Sequence, residues 1–311
     1  MNTLDFFISL YSLERNYKYV PSYLLTPFRR LTRCLANIIL PKILKSKRDK
    51  CKQHTGVVVS LTSFPARINE VWQVIECIMR QTYRPARIYL WLSKEQFPSS
   101  EMIPEVLRKL ENDVFCIRLV EGDIRSHKKY YYIAKENPSA DIILVDDDIY
   151  YPTTMIEELI LSAQKYPNCV ICRYGSLVSY SKDGIILPYA EWEEVNKYTI
   201  NSRLFFGTGG GTLIRSSMLF KDLLNKELFL NLTPLADDIW VNAMVRLAKT
   251  PIVMLKPSII LPVQGKGTKV TLCNENVTEG KNDVQIKAVS EYYLKHLGID
   301  PFAITYKVTV R

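Results

Sequence analysis

From residue 55 onward, short apolar runs alternate with segments whose apolar positions recur at helical spacing. Val57-Val58-Val59-Ser60-Leu61 predicts a strand. Asn69 to Gln81 predicts a helix with Val71, Val74, Ile75 and Ile78 facing inward. The same alternation continues with a strand over Arg87 to Leu92 and a helix over Ile103 to Leu110. A strand over Val114 to Val120 and a helix over Lys128 to Lys135 follow. A strand over Ile142 to Val145 and a helix over Thr154 to Tyr166 complete the series. Four such units predict an α/β fold with a mostly parallel central sheet flanked by helices. Ligands of such sheets bind outside the carboxyl ends of the strands. The segments Thr62 to Arg67, Glu121 to Lys129 and Asp146 to Asp148 all follow strands and are expected to meet in one crevice.

The second half is less regular. Val170 to Tyr180 and Gly184 to Pro188 predict a hairpin around Lys182-Asp183-Gly184. The glycines of Phe206-Gly207-Thr208-Gly209-Gly210-Gly211-Thr212 permit close backbone approach to a ligand, with Gly209 and Gly210 as the candidates, or form a turn only. Asp237-Asp238 opens a helix whose inner face is Ile239, Trp240, Ala243, Met244 and Leu247. One aspartate suffices to cap that helix, which leaves a second carboxylate for base chemistry. Cys169 and Cys172 lie in a strand-like run without a partner pair and read as buried thiols.

Chemistry concentrates at Asp146-Asp147-Asp148, directly after the buried run Ile142 to Val145. Three like charges there repel one another, and a hard divalent cation relieves that repulsion. Side chains on an extended segment alternate, so Asp146 and Asp148 can share one ligand while Asp147 faces elsewhere.

Charge changes the picture at one end only. Residues 1–52 carry eleven Lys/Arg against three acids, +8 of the overall +9, so the remainder is close to neutral. Between Pro27 and Pro41, Phe28, Leu31, Leu35, Ile38 and Ile39 recur at helical spacing, with Arg29, Arg30 and Arg33 on other faces. This predicts a basic amphipathic segment, residues 1–54, ahead of the main domain, 55–311. It suits an interfacial anchor on anionic lipid, or alternatively a helix packed on that domain. No aromatic platform or groove-reading motif accompanies it, so a nucleic-acid partner is not expected. There is no run of eighteen apolar residues and no signal-peptide pattern. Seven scattered cysteines suit a reducing compartment. Together these give a cytoplasmic protein, peripheral on the cytosolic membrane face.

A strand ending in Leu144-Val145-Asp146-Asp147-Asp148, with Ala236-Asp237-Asp238-Ile239-Trp240 about ninety residues later, resembles a GT-A fold glycosyltransferase. Ser60-Leu61-Thr62-Ser63-Phe64-Pro65 and Arg80-Gln81-Thr82 are similar to family 2 enzymes. The Asp-Asp-Asp run, the Asp-Asp-Ile helix start and Leu255-Lys256-Pro257 are similar to the exostosin-like transferase domain. The resemblance spans roughly residues 55–265. Asp237-Asp238 stands where Glu-Asp is usual, and no histidine occurs from Pro262 to Lys269. The resemblance implies a DxD-type Mn²⁺ or Mg²⁺ site at Asp146 and Asp148, and Asp238 as base beside Asp237. Donor contacts are expected from Thr62, Ser63, Arg67, Asp146, Asp147, Gly209 and Gly210, with Lys266 closing over the diphosphate. Arg125, Lys128 and Lys129 are candidate cationic donors, Lys128 preferred because it begins a helix beside the crevice. The activity implied is transfer from a UDP-sugar to a glycan or lipid-linked acceptor in surface polysaccharide synthesis. A sugar nucleotidyltransferase is the alternative, although Thr62 to Arg67 lacks the glycine such a phosphate loop favours. A non-catalytic membrane-bound module is a third reading, disfavoured by intact carboxylates at both motifs.

Overall fold

The computed structural model describes residues 2–12, 22–48, 50–256, 260–264 and 280–304. Eight strands form the central sheet: β1 (Val58–Thr62), β2 (Arg87–Ser93), β3 (Phe115–Val120), β4 (Asp141–Val145), β5 (Val170–Cys172), β6 (Thr199–Ile200), β7 (Gly210–Arg215) and β8 (Ile252–Met254). Their spatial order is β6-β8-β5-β7-β4-β1-β2-β3. The pairings make β7 and the short edge strand β6 run against the other six, so the sheet is mostly parallel, as expected. The chain starts at β1, steps outward through β2 and β3, then returns to lay β4 on the other side of β1. That reversal puts a topological switch point between β1 and β4, where Ser63 and Asp146 emerge side by side.

The helices are α1 (Thr3–Tyr11), α2 (Ser22–Leu44), α3 (Val71–Met79), α4 (Glu105–Arg108), α5 (Lys128–Glu136), α6 (Met155–Lys165), α7 (Lys226–Leu232), α8 (Asp237–Leu247) and α9 (Lys281–Leu297). Two cores cover the sheet, one per face. Ile143 and Val145 of β4 join the core under α1, α2, α3 and α6, while Ile142 and Leu144 join the one under α5, α8 and α9. This is the period-two alternation of a strand buried on both sides.

Three expectations change. The helix over Ile103 to Leu110 is a single turn, because Pro104 sets its start and Asn112 bonds the Val114 and Phe115 amides. The hairpin shrinks to one bridge between Tyr180 and Ile186. Val170–Cys172 pairs instead inside the main sheet, and Gly175–Leu177 joins a separate three-stranded sheet with Leu204–Phe206 and Glu193–Glu194. The basic helix runs straight through Pro27 and Pro41 over 23 residues rather than stopping at them. Its inner line of Ala36, Leu40 and Leu44 enters the same core as Leu4, Phe7, Ile8 and Tyr11 of α1. Asp5 bonds the Thr153 amide and hydroxyl at 2.8 and 2.6 Å. Residue 54 therefore marks a change in composition, not a gap in packing.

Candidate active site

Local chain direction explains why distant residues meet. Strand β7 is antiparallel to β4, so it begins where β4 ends, with Gly210 paired to Val145. The loop Gly207–Gly209 is thereby laid across Asp146, whose amide donates to the Gly209 carbonyl at 3.1 Å. A side chain is impossible at Gly209 in this arrangement, because a Cβ there would lie 1.7 Å from Asp146 Oδ2. At Gly210 a Cβ would meet Tyr174 Cβ at 2.7 Å, so that glycine serves packing. Tyr151 hydrogen-bonds to both the Asp146 amide and the Gly209 carbonyl and ties the two segments together.

The three aspartates separate as alternation predicts. Asp147 is buried, accepting from Ser63 Oγ at 2.5 Å and from Arg67 Nη1 at 3.0 Å. Arg67 Nη1 also reaches Asp148 Oδ2 at 2.6 Å. Asp146 and Asp148 keep 39% and 34% of their side chains exposed, so both face the crevice. Burial and the neighbouring Asp146 charge push Asp148 up to about 7. Burial also raises Asp147, against the pull of Arg67 and Ser63.

Lys129 is the hub of the site. Its ammonium is buried, 2.8 Å from Asp146 Oδ1, 3.1 Å from Asp237 Oδ2 and 3.1 Å from Thr208 Oγ1. Its backbone carbonyl is fixed by Ser60 Oγ at 2.5 Å, and Trp91 Nε1 donates to that hydroxyl in turn. Burial opposes the charge on Lys129, but Asp146, Asp237 and Asp238 hold its pKa above the ordinary value.

Asp237 and Asp238 do not cap α8, since Ala236 occupies the cap position. They grip Thr208 instead. Its amide donates to Asp238 Oδ1 at 2.7 Å, and its hydroxyl oxygen lies 2.7 Å from Asp237 Oδ2 and 2.5 Å from Asp238 Oδ1. A threonine hydroxyl has one proton to give. The hydroxyl therefore donates to one of the two carboxylates at a time, while the amide holds Asp238 throughout. The two carboxyls titrate apart. Burial and the Asp237 charge raise Asp238 to about 7, whereas Asp237, despite burial, is held below the usual range by the Lys129 ammonium and the Thr208 hydroxyl. His127 is buried and neutral, pushed down to about 4 by burial. Its Nε2 lies 2.7 Å from the Thr233 carbonyl, which only accepts, so the proton sits on Nε2 and Tyr130 donates to Nδ1 at 2.9 Å.

The expected donor contacts are thus only partly brought together. Asp146, Asp148, Asp237, Asp238 and Gly209 converge. Ser63, Arg67 and Asp147 form a buried clamp behind Asp148. The Thr62 hydroxyl is taken up by the Trp91 carbonyl at 2.8 Å. Lys128 is turned away, its ammonium buried against Asp123, and Arg125 is exposed with its amide bonded to Asp123 Oδ1 at 2.9 Å. Of the two lysines it is Lys129, not Lys128, that faces the aspartates of the crevice. Lys266 and Pro257 lie outside the described residues. Thr208 was missed although it sits inside the glycine cluster, because threonine carries no chemical signal of its own.

Among the described residues no three His, Cys, Asp or Glu side chains form a ready metal-binding group. Two exposed carboxylates are nevertheless a fitting donor set for Mg²⁺ or Mn²⁺, which take one or two carboxylates and complete their shell with substrate phosphates.

No protein-family model and no curated protein sequence matches this chain. Solved structures overlap it weakly. UDP-glucose pyrophosphorylase in its apo form is 11% identical, with 80% of this chain and 100% of that chain covered, at a TM-score of 0.37. Its complex with UDP-glucose gives 10% identity, 79% and 100% coverage, and the same TM-score of 0.37. HddC from Yersinia pseudotuberculosis is 14% identical over 54% of this chain and 78% of its own, at 0.32. At TM-scores this low the overlaps carry no argument about activity, and the family 2 and exostosin-like likenesses stand on their motifs alone.

Proposed function

We propose that this chain is a cation-dependent glycosyltransferase, moving a sugar from a nucleoside diphosphate sugar, UDP-sugar first among candidates, to a hydroxyl of a glycan or lipid-linked acceptor. The carrying observation is a charge imbalance: among the described residues, Asp146, Asp147, Asp148, Asp237 and Asp238 are faced by only Arg67 and Lys129. A diphosphate entering such a site is repelled unless a divalent cation enters with it. Held by Asp146 and Asp148, Mg²⁺ or Mn²⁺ would supply charge neutralisation for the departing diphosphate.

The chain's own groups do the rest. The acceptor oxygen bonds to the anomeric carbon as the bond to the diphosphate oxygen breaks, and the acceptor proton passes to Asp238. Thr208 holds Asp238 in place. Asp237 and Lys129 hold Thr208. The clamp of Ser63, Arg67 and Asp147 orients the backbone that carries Asp148. Surface polysaccharide synthesis is the setting that suits such an acceptor.

Sugar nucleotidyl transfer is the second reading, and it makes a different demand on the site. A sugar phosphate attacking phosphorus is already an anion, so it needs cations and no base. Here both cations among the described residues, Arg67 and Lys129, are committed to carboxylates, and a carboxyl raised to about 7 stands beside them. Incubation with a nucleotide-sugar panel, acceptor glycans and Mn²⁺ separates the readings. Release of nucleoside diphosphate, abolished by chelator, is expected. Pyrophosphate turnover with a sugar phosphate would replace the proposal with nucleotidyl transfer.

A further inference from the structure

Helix α2 has two apolar faces where a surface helix needs one. The inner line of Thr32, Ala36, Leu40 and Leu44 is buried against the body. The outer line of Phe28, Leu31, Leu35 and Ile38 remains 37%, 57%, 41% and 54% exposed. Four large apolar side chains in one stripe are a patch, not scattered exposure. Following the same spacing toward the helix end, the stripe passes to Lys42 and then to Lys45. Lys45 opens a cavity of about 720 Å³ lined by Ser46, Lys47, Arg48, Lys50, Cys51, His54, Glu76 and Arg84. Glu76 there is already gripped by Arg48 at 3.0 and 2.7 Å. Of the remaining lining, Lys45, Lys47, Lys50 and Arg84 are cationic, and Arg84 Nε is buried without a partner among the described residues. One flank thus carries an apolar half and a cationic half.

We propose that this flank docks on an anionic membrane surface, with the stripe of α2 lying among the acyl-chain boundary groups and the Lys45–Arg84 cavity receiving lipid phosphates. The opposite charge of the lipid selects this occupant over a second copy of the same basic flank, which would repel itself. Among the described residues no helix is long and apolar enough to cross a membrane, so the contact is interfacial. Because α2 shares the domain core, docking orients the whole protein rather than tethering it. Asn37 of α2 bonds the Pro262 carbonyl at 3.1 Å and the Gln264 amide at 2.7 Å, and the Val263 amide between them bonds the Asp148 carbonyl at 2.7 Å. The stripe half of the flank therefore lies beside the carboxyl edge of the sheet, whereas His54 and Arg84 of the cationic half precede β1 and β2 at the other edge. The proposal does not depend on which group the site transfers.

Co-sedimentation of the full chain with phosphatidylglycerol and with phosphatidylcholine vesicles tests it without donor or acceptor. Binding to phosphatidylglycerol, weakened by salt, is expected, with little on phosphatidylcholine. Leu31→Glu and Leu35→Glu, both at exposed positions, should each lower partitioning by about tenfold. Lys45→Glu and Lys50→Glu should each lower it by about fivefold or more. Thermal unfolding of each variant should match wild type. Point variants are required because deleting residues 1–52 would strip α1 and α2 from the core. No vesicle binding by wild type, or equal binding by the Leu31→Glu/Leu35→Glu protein, would overturn the proposal. So would light scattering that shows a stripe-dependent dimer indifferent to vesicles, which would make a second copy the occupant.

Discussion

The two acidic motifs, Asp147-Asp148 after β4 and Asp237-Asp238 at the start of α8, solve one problem in the same way. Each places a buried carboxylate beside a partly exposed one. Asp147 is locked by Ser63 and Arg67, and Asp237 by Thr208 and Lys129. Their half-buried neighbours, Asp148 and Asp238, are both pushed up to about 7. The inner acid of each pair is a clamp, and its fixed charge helps raise the outer one. The motifs differ in what backs the clamp. Arg67 is less deeply buried and serves one motif, whereas Lys129 is buried and joins both motifs through Asp146 and Asp237. Adjacent acids are therefore not interchangeable, and the lysine couples the two halves of the site.

The sharpest break of this comparison is within one pair. Asp238→Asn should lower kcat by about 10²–10⁴-fold, the range for a lost general base, with nucleotide binding retained. Asp237→Asn should act mainly on thermal stability. The pH profile adds a sign. A base whose pKa lies near 7 is inactive below it, so wild-type kcat/KM should climb as pH rises through about 7. At saturating divalent cation, which keeps Asp148 ionised, that limb should vanish from the residual activity of Asp238→Asn. For folding the sign is opposite. A carboxyl raised from its unfolded value favours the folded state at low pH, and Asp238 withdraws that contribution as pH rises from about 4 to about 7. Equal kinetic losses in both variants would erase the distinction between clamp and base.

Between motifs, the clamp cations should rank by burial. Lys129→Met leaves buried Asp237 without its cation and should cost about 3–5 kcal/mol of stability. Arg67→Met should cost less, because Asp147 keeps the Ser63 hydroxyl and Asp148 is a third exposed. Denaturant midpoints of the two proteins measure the order directly, and a reversed order would move the hub to Arg67. A third, smaller effect isolates geometry from charge. Gly209→Ala forces Asp146 aside, and displacement of about 1 Å at a reacting centre can cost about 10²-fold. A loss of that size in kcat/KM, with thermal unfolding little changed, is expected.

Much of this was legible in the chain. Ile142 to Val145 announces a strand buried on both faces, and strict alternation then separates Asp147 from Asp146 and Asp148. What escaped detection depends on phase and on small residues. Arg125 has a left-handed φ of 51° and opens a 3₁₀ turn before α5, which sets which of two adjacent lysines faces the crevice. Helical spacing alone carries no such phase. The inner face of α2 includes Thr32 and Ala36, too weakly apolar to register beside Phe28, Leu31, Leu35 and Ile38. Thr208 matters through its two acidic neighbours, 29 and 30 residues away in sequence and beyond any local pattern.

Lys128 and Lys129 give the smallest test and the finest one. They are neighbours of equal charge at the start of α5, and both are buried. Lys129 points among Asp146, Asp237 and Thr208, whereas Lys128 points to Asp123. Burial lowers the Lys128 pKa, with Asp123 opposing it, so the pair is self-contained. Lys128→Gln should therefore leave the donor KM and kcat near wild type. It should remove a charge-assisted hydrogen bond and cost about 1.5–3 kcal/mol in denaturation. Lys129→Gln should disturb both quantities, because its ammonium holds acids from both motifs. Steady-state kinetics beside chemical denaturation resolves the difference. A donor KM raised tenfold or more by Lys128→Gln alone, at unchanged stability, would return Lys128 to the diphosphate and require α5 to rotate when donor binds.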